Sequence, residues 1–409
     1  MYRHLQKCLY KGLCPKLSTN IIIMKIAYIS YLPIADVDFS YLHEAQMIMD
    51  ITCYMFVNPH HIKRSVVNFH TLLDKSGVYD ASEFPELMCY RDYLDLSKIK
   101  VINIADTKHW QVEAFKILKT LCKLFDKEYD IIHLTRLPQW FETPFFSLRR
   151  KAVLSVHDPI PHSGQSLKSR ILTNSARWVT YRLLHNFIIF NKAQKEEFVK
   201  TFKLQKKNVI VSKLSCYTCL QPIEDKLNKL PDSKFILFSG RITQYKGLQY
   251  LLPAFRRVHK HHPDVKLIVA GSGNFPFDVE EYKQLDYIEF RHRFIPDTEL
   301  IQLMKSCMFM VCPYTDATQS GVIMSAFAFN VPVLATNVGG LPEMVKDGVF
   351  GRIIKEKDEG AIADGICEML SDSEFLKLYS NNIKQEYSDG ELAWKTIAAR
   401  LKNDYNSCV

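Results

Sequence analysis

From Met24 onward, short apolar runs alternate with amphipathic stretches of helical length, and this alternation limits the possible folds more than any other feature. Apolar runs of this length are typical of strands buried in a parallel sheet. Strands that alternate with helices form right-handed βαβ units. The pattern therefore predicts an α/β protein with two Rossmann-like lobes. The runs are KIAYIS, KVINIAD, DIIHLT, AVLSVH, FIIFN and NVIVSK in the first half, then FILFSG, VKLIVAG, YIEFRHRF, MFMVCPY, VPVLATN and GRIIK.

One segment interrupts the alternation and predicts the boundary between the lobes. Residues 219–234, CLQPIEDKLNKLPDSK, contain two prolines and mixed charges, as interdomain linkers do. We therefore expect an N-terminal lobe over residues 24–218 and a C-terminal lobe over residues 235–385. A helix over residues 386–409 is expected to return to the N-terminal lobe.

The first 23 residues contain four basic residues and no acidic one. Arg3, Lys7 and Lys11 would share one face of a helix, which is compatible with a segment that touches a membrane. Because an apolar strand of the kind that opens α/β domains follows Met24, we favour the other interpretation, a nonstructural leader over residues 1–23.

Composition excludes several classes of protein. A chain of 409 residues with 47% hydrophobic and 24% charged residues predicts an ordered globular protein. Among the 11 cysteines, only Cys216 and Cys219 have CxxC spacing, and no second pair completes a zinc site. We expect reduced thiols, no metal and a cytoplasmic location. No apolar run reaches the roughly 18 residues of a transmembrane helix.

Four loops of the second half follow predicted strands directly: SGRITQYKG, AGSGNF, residues 314–321 and NVGGLPE. The carboxyl ends of parallel strands share one rim, where ligands bind. Arg241 and Lys246 offer cations there, the glycines allow close backbone approach, and a helix begins near Gln319. An exposed Arg or Lys is most often a solvated charge, but the position at a strand end favours an anion pocket. AGSGNF lacks the third glycine of a dinucleotide fingerprint, and no P-loop occurs.

These loops resemble a known family. GRITQYKGLQYLLPAF is similar to the phosphate-binding start of the second domain in family 4 retaining glycosyltransferases (glycosyl transferases group 1), which have the GT-B fold. QSGVIMSAFAFNVPVLATNVGGLPEMVKDGVFG is similar to their donor-binding region. The resemblance covers residues 235–409 well, whereas the first half is matched mainly by VLSVHDP.

The resemblance implies a GT-B fold, in which two Rossmann-like lobes with parallel sheets face each other across a cleft. It implies transfer of a hexosyl group from a nucleotide-diphosphate sugar to a glycan or lipid-linked acceptor, with retention. Families of this type build cell-surface polysaccharides such as capsule or lipopolysaccharide. The nucleotide sugar is a substrate, and no cofactor is implied.

The resemblance also assigns roles to individual residues. Arg241 and Lys246 would stabilise charge on the leaving diphosphate, and His157 would approach the donor sugar. The alternative for His157 is a structural role, which is the more common one for a lone His at a strand end. The residues expected to bind the donor are Gly240, Phe294, Ile295, Gln319, Ser320, Gly321 and Ser325, with Phe294 and Ile295 against the base.

The chain departs from the family at the ribose site. The usual pair of glutamates, separated by seven residues, falls on Ala317 and Ser325, or on Asp316 and Met324 if the register is shifted by one residue. Neither register supplies the pair, so Ser325 or Gln319 would have to bind ribose through neutral hydrogen bonds. The first lobe also lacks the glycine pair that often follows the first strand. Two alternatives therefore stay open. One is a catalytically degenerate GT-B nucleotide-sugar-binding protein or partner protein; the other is a sugar-nucleotide epimerase, which needs an acid and base pair that we cannot identify.

The net charge of +9 is unevenly distributed. Within residues 149–213, Lys168, Arg170, Arg177 and Arg182 lie among Ile, Leu, Trp and Tyr, a pattern expected of a helix that touches an anionic surface. The alternative is a solvated helix packed on its sheet. We predict peripheral contact with anionic lipid at the inner face of the plasma membrane, and no nucleic-acid partner, because no recognised binding motif occurs.

Overall fold

The computed structural model describes residues 24–59, 67, 69, 72–157, 177–190, 192, 194–223, 234–317 and 319–409. The predicted leader, residues 224–233 of the predicted linker, Lys168 and Arg170 lie outside these ranges.

The first lobe is built on an eight-stranded sheet in the order β3-β4-β2-β1-β5-β6-β7-β8. Neighbouring strands are parallel except β3 and β4, which are antiparallel. The strands are β1 (Lys25–Tyr31), β2 (Asp50–Val57), β3 (Gly77–Asp80), β4 (Ile99–Asn103), β5 (Ile131–Leu134), β6 (Ala152–Val156), β7 (Asn186–Ile189) and β8 (Asn208–Val211).

The second lobe is built on a six-stranded sheet in the order β11-β10-β9-β12-β13-β14, in which every neighbouring pair is parallel. The strands are β9 (Lys234–Ser239), β10 (Val265–Ala270), β11 (Ile288–Arg291), β12 (Met310–Cys312), β13 (Val333–Thr336) and β14 (Gly351–Ile354). The prediction of two α/β lobes with parallel sheets is confirmed.

Helices connect the strands and cover both sheets, as parallel sheets require. The α-helices are α1 (Ala35–Ile48), α2 (Trp110–Glu128), α3 (Lys195–Phe202), α4 (Leu248–His261), α5 (Glu280–Lys283), α6 (Asp297–Ser306), α7 (Gly321–Phe327), α8 (Leu341–Val345), α9 (Glu359–Ser371), α10 (Ser373–Asp389) and α11 (Trp394–Tyr405). Residues 177–183 are also helical. The 3-10 helices are Leu32–Ile34, Ala81–Glu83, Pro85–Tyr90, Leu96–Lys98, Trp140–Leu148, Thr218–Leu220 and Gln244–Lys246.

All twelve predicted strands are present, and two strands were missed. Strand β2 follows α1 after a single residue, Met49. No glycine or proline separates the helix from the strand, so the sequence has no punctuation there. Strand β3 has only four residues at the edge of the sheet, and none of them is buried, so it lacks the apolar run that identified the other strands.

The last helix of the chain packs on the first lobe although it follows the second in sequence. Trp394, Ile397, Leu401 and Tyr405 of α11 are buried in the same core cluster as α1 and β1. Their spacing places them on one face of the helix. The indole Nε1 of Trp394 donates a hydrogen bond of 2.7 Å to the carbonyl of Cys216, so this helix also holds the segment that leaves the first lobe.

Buried polar groups cross the core beneath α11. Asp38 of α1 accepts hydrogen bonds from Tyr28 (2.8 Å) and Ser30 (2.6 Å). His133 of β5 hydrogen-bonds to Tyr405 at 2.6 Å, and burial lowers its pKa to about 3, so the imidazole is neutral. Burial raises the pKa of Asp38 to about 7, against the opposing effect of its hydrogen bonds.

The raised pKa of Asp38 predicts a characteristic pH dependence of stability. The pKa of an ordinary Asp is 3.8, and that of Asp38 in the folded protein is about 7. The folded state therefore keeps the proton of Asp38 at pH values where the unfolded chain has lost it. The stabilisation from this difference in proton binding is complete below pH 3.8 and is lost as the pH rises towards 7. Asp38→Asn stays neutral. We expect wild type to lose up to about 1.4 kcal/mol per pH unit relative to the variant within this window. Urea unfolding at several pH values measures the difference; parallel stability curves would contradict the assignment.

Candidate functional site

Loops that follow β9, β10 and β11 meet at the carboxyl edge of the second sheet. The N–H of Gly240 donates to the carbonyl of Ala270 at 3.1 Å, and the N–H of Ile242 donates to Ser272 at 2.8 Å. The Nε2 of His292 is 2.7 Å from the carbonyl oxygen of Gly273. Backbone hydrogen bonds therefore fix the positions of these loops relative to one another.

The loops that follow β12 and β13 join the same rim. Thr315 donates its N–H to the carbonyl of Tyr245 at 2.7 Å, and Gly340 donates to Ala317 at 3.2 Å. The hydroxyl of Thr336 donates to the carbonyl of Tyr314 at 2.5 Å. All four loops that the sequence singled out thus lie next to one another.

Lys246 is the most unusual side chain of this rim. It is only 8% exposed, and its Nζ lies 3.7 Å from the ring centroid of Tyr314 and 5.3 Å from that of Tyr245. Among the described residues, no carboxylate pairs with its ammonium group. Burial lowers the pKa of its ammonium group. Aromatic faces compensate only part of the lost hydration, and no described carboxylate supplies the remaining stabilisation of the charge.

The turn that buries Lys246 requires glycine at the next position. Gly247 has φ +73°, and a Cβ there would lie 1.7 Å from the carbonyl oxygen of Pro313. This close approach brings the Gln244–Lys246 turn against the loop that follows β12 and contains Tyr314. The lysine is therefore held by a backbone contact that a larger residue would prevent.

Arg241 differs from Lys246 because it is exposed. It makes no hydrogen bond or ion pair with any described residue. The preceding Gly240 has φ +119°, and a Cβ there would lie 3.3 Å from Val322 of α7. The backbone next to Arg241 therefore passes close to α7. The exposed guanidinium group of Arg241 is available to an anion.

The hydroxyl group at the start of α7 already has partners within the protein. The hydroxyl of Ser320 accepts the N–H of Ile323 at 3.4 Å and lies 3.3 Å from the hydroxyl of Tyr314, so it caps the helix. Gly321 and Gln319 are exposed. A Cβ at Gly321 would lie 3.0 Å from the hydroxyl of Tyr217, which places the segment leaving the first lobe beside the rim.

Ala317 and Ser325, which stand where the family has its two glutamates, make only neutral hydrogen bonds. The hydroxyl of Ser325 donates to the carbonyl of Gly321 at 2.9 Å, and the carbonyl of Ala317 accepts from Gly340. Phe294 is 65% exposed, whereas Ile295 is buried in the second-lobe core. Only backbone groups of Ile295 could therefore contact a base.

His157 of the first lobe lies beside the cleft between the lobes. Its ring stacks on Phe190 at 4.9 Å, and its Nε2 is 3.1 Å from the carbonyl oxygen of Thr135. Phe190 lines a cavity of about 370 Å³ together with Gln319 of the rim. The described residues of this cavity that the sequence analysis did not single out include Lys192, Lys213, Glu343, Lys346, Arg400 and Asp404. These residues line the cavity because of how the two lobes pack together, and no local sequence pattern indicates such packing.

No helix in the described part of the chain has the length and apolar character needed to cross a bilayer. No group of three or more His, Cys, Asp or Glu side chains within the described ranges is arranged to hold a metal ion.

Gly247→Ala tests whether the rim depends on the contact with Pro313. We expect it to lose more stability than Gly348→Ala, since Gly348 has nearly the same φ of +72° but nothing within 4 Å of its Cβ position. The control isolates the cost of the backbone conformation, about 1–2 kcal/mol. Chemical denaturation of both variants measures the difference. Equal losses would show that the approach to Pro313 relaxes at no cost.

The second half of the chain is similar to known proteins. Residues 221–386 match the family described as Glycosyl transferases group 1. An uncharacterized glycosyltransferase of Methanocaldococcus jannaschii is 34% identical over 42% of this chain and 45% of its own length. The D-inositol 3-phosphate glycosyltransferase of Corynebacterium glutamicum is 27% identical over 43% of this chain and 44% of its own length. These matches span less than half the length of the relatives.

Solved structures resemble nearly the whole chain. Sucrose-phosphate synthase from Thermosynechococcus elongatus has a TM-score of 0.62 at 18% identity, covering 94% of this chain and 98% of its own. HepE of Anabaena, solved with UDP and glucose, has a TM-score of 0.62 at 16% identity, covering 94% and 100%. A UDP-N-acetylglucosamine 2-epimerase has a TM-score of 0.60 at 15% identity, covering 94% and 96%. The fold is GT-B, as predicted.

Proposed function

We propose that the protein is a glycosyltransferase that moves a hexosyl group from a nucleotide-diphosphate sugar to an acceptor. The observation that carries the proposal is Lys246, a buried cation without a carboxylate partner among the described residues, at the strand-end rim of a group 1 domain. A diphosphate would supply the missing negative charge. Arg241, exposed on the same loop, would add a planar set of donors suited to phosphate oxygens.

The chemistry follows from where charge develops. When the glycosidic C–O bond breaks, negative charge grows on the leaving diphosphate, and fixed cations in a water-poor cleft stabilise that charge more than water does. Lys246 is held by its turn and by Tyr314 before substrate arrives, so little reorganisation is needed. The backbone at Gly240 and Gly321 would allow phosphate oxygens to approach closely.

The remaining donor contacts are assigned by position. Phe294, exposed at the rim, and the backbone of Ile295 would face the base, while Gln319, Ser320 and Ser325 would contact ribose or sugar. His157 would approach the sugar from the first lobe, where the cavity joins both lobes. The UDP in HepE and the family match to residues 221–386 support a nucleotide-sugar donor.

Retention, acceptor and pathway rest on the resemblance alone. We propose family 4 chemistry with retention, a glycan or lipid-linked acceptor, and a role in cell-surface polysaccharide synthesis at the cytoplasmic side of the membrane. The domain division at residues 219–234 is proposed on the composition of that segment, which contains two prolines and mixed charges. No cofactor is required, because the cations at the rim would neutralise the diphosphate.

One observation favours a second candidate, a nucleotide-sugar-binding protein without catalysis. The two glutamate positions hold Ala317 and Ser325, and both make only local contacts. Such a protein would bind a nucleoside diphosphate and leave the sugar bond intact. Incubation with labelled donors, followed by product analysis, distinguishes transfer or hydrolysis from binding alone and from epimerisation of the sugar.

Lys246→Met should separate stability from binding. Removing a buried cation without a counter-ion should leave the ligand-free protein at least as stable as wild type. Thermal shift with a panel of nucleoside diphosphates measures binding; a ligand at 100 times its Kd adds about 2.7 kcal/mol to wild type, and we expect this shift to disappear. Lys234→Met is the control, because Lys234 pairs with Asp264 at the opposite end of β9. An unchanged ligand shift in Lys246→Met would refute the diphosphate site.

Arg241→Ala and Lys246→Ala should each lower the rate of transfer by roughly 10² to 10³, the effect typical of a lost stabiliser of developing charge. Circular dichroism checks that the fold is retained. Normal turnover in both variants would place the diphosphate elsewhere.

The product should retain the anomeric configuration of the donor, and activity should survive EDTA, since Arg241 and Lys246 provide the positive charge that a divalent ion would otherwise supply. NMR of the product formed by the chelated enzyme measures both. An inverted product, or activity that only magnesium or manganese restores, would overturn this part of the proposal.

A further inference from the structure

The helical residues 177–183 carry an exposed apolar face. Trp178 is 51% exposed, and Val179 and Leu183 are exposed beside it. The opposite face is fixed in the core of the first lobe, because the ring of Tyr181 packs edge-on against Phe187 and Phe202. The orientation of this helix is therefore determined, and burial of Tyr181 leaves Trp178 on the outside.

Cations surround this apolar face. The guanidinium carbon of Arg182 lies 4.7 Å from the ring centroid of Trp178, and the Nζ of Lys207 donates to the carbonyl of Arg182 at 3.0 Å. Arg149 and Arg150 are exposed. Arg149 and Arg150 precede β6, and Lys207 precedes β8. Strands β6, β7 and β8 are parallel neighbours whose starts lie side by side, so these cations share one edge of the sheet with His185, which precedes β7. Burial and the charges of these cations together lower the pKa of His185.

These cations have no acidic partner in the part of the chain that the structure describes. Within the described ranges, no carboxylate forms an ion pair with Arg149, Arg150, Arg182 or Lys207. We call the set Trp178, Val179, Leu183, Arg149, Arg150, Arg182 and Lys207 the Trp178 surface. It differs from the segment predicted from sequence. Arg177 is only partly exposed, and one of its guanidinium nitrogens is buried, while three of the four cations lie outside the predicted set.

We propose that the Trp178 surface docks on an anionic lipid bilayer. A tryptophan with flanking aliphatic side chains suits the boundary between headgroups and acyl chains. Unpaired cations around it complement anionic headgroups. A nucleic acid would match the charge, but it offers nothing for Val179 and Leu183. The surface lies on the first lobe, at the amino-terminal ends of β6, β7 and β8. His157 follows the carboxyl end of β6, at the opposite edge of the sheet. The inference goes beyond the proposed function and does not depend on it.

Flotation with liposomes tests the proposal. The full chain is mixed with phosphatidylcholine vesicles, with or without about one third phosphatidylglycerol, at low and high salt. We expect flotation with the anionic vesicles at low salt and its loss at high salt. Trp178→Ala, and a variant with Arg149, Arg150, Arg182 and Lys207 changed to Gln, should each reduce flotation about tenfold or more.

Two controls match these variants. Trp140→Ala removes another exposed tryptophan of the first lobe. Changing Lys260, Lys266, Lys357 and Lys384 to Gln removes the same charge from exposed positions of the second half. Both controls should float like wild type. Nucleoside diphosphate binding should be unchanged in all four variants, so failure of the docking proposal and failure of the proposed function give different results.

Insertion of the indole gives a second readout. Lipids brominated near the headgroup should quench part of the tryptophan fluorescence of wild type, and Trp178→Phe should remove that quenching. Flotation of the Trp178 surface variants at the wild-type level would overturn the proposal. Binding to RNA or DNA without flotation would overturn it in favour of a nucleic-acid surface, and concentration-dependent dimers without flotation would assign the surface to a second copy of this chain.

Discussion

The buried ammonium group of Lys246 is the interaction on which the second lobe's rim depends. A charge removed from water is costly unless it is paired, and here Tyr314 offers only the face of its ring at 3.7 Å. The position is maintained because Gly247 presses against the carbonyl of Pro313 and Thr315 is hydrogen-bonded to Tyr245. The surrounding backbone thus keeps the ammonium group of Lys246 buried, although the ammonium group alone would be more stable in water.

The same rim is attached to the first lobe through α7. The N–H of Tyr217 donates to the carbonyl of Met324 at 3.1 Å, and the side chain of Gln221 donates to the carbonyl of Ala328 at 2.8 Å. Trp394 of α11 in turn holds Cys216. The segment that leaves the first lobe is therefore fixed on both sides. Contacts of α7 and α11 set where Gln319 lies relative to Phe190 and His157.

Sequence patterns predicted the parts of the fold that depend on local burial. Twelve strands and the four rim loops could be found because apolar runs and glycines mark strand ends. Side-chain roles were less predictable. The hydroxyl of Ser320 is engaged in capping, Ile295 is buried, and Arg177 has a buried nitrogen. Each outcome depends on which face of an element meets another element, and that is decided by packing between segments far apart in sequence.

The missing glutamates change the electrostatics of the rim as well as its hydrogen bonding. A carboxylate at position 325 would lie one helical turn beyond Gly321 and would partly cancel the field of Lys246 and Arg241. Ser325 instead returns its hydroxyl to the carbonyl of Gly321, and Ala317 contributes only a backbone acceptor. Neither position 317 nor position 325 therefore provides an acidic group that would reduce the positive potential at the strand ends. Donor affinity in the proposed function would therefore come mainly from the diphosphate, and recognition of the sugar and ribose would fall to neutral groups and to the first lobe.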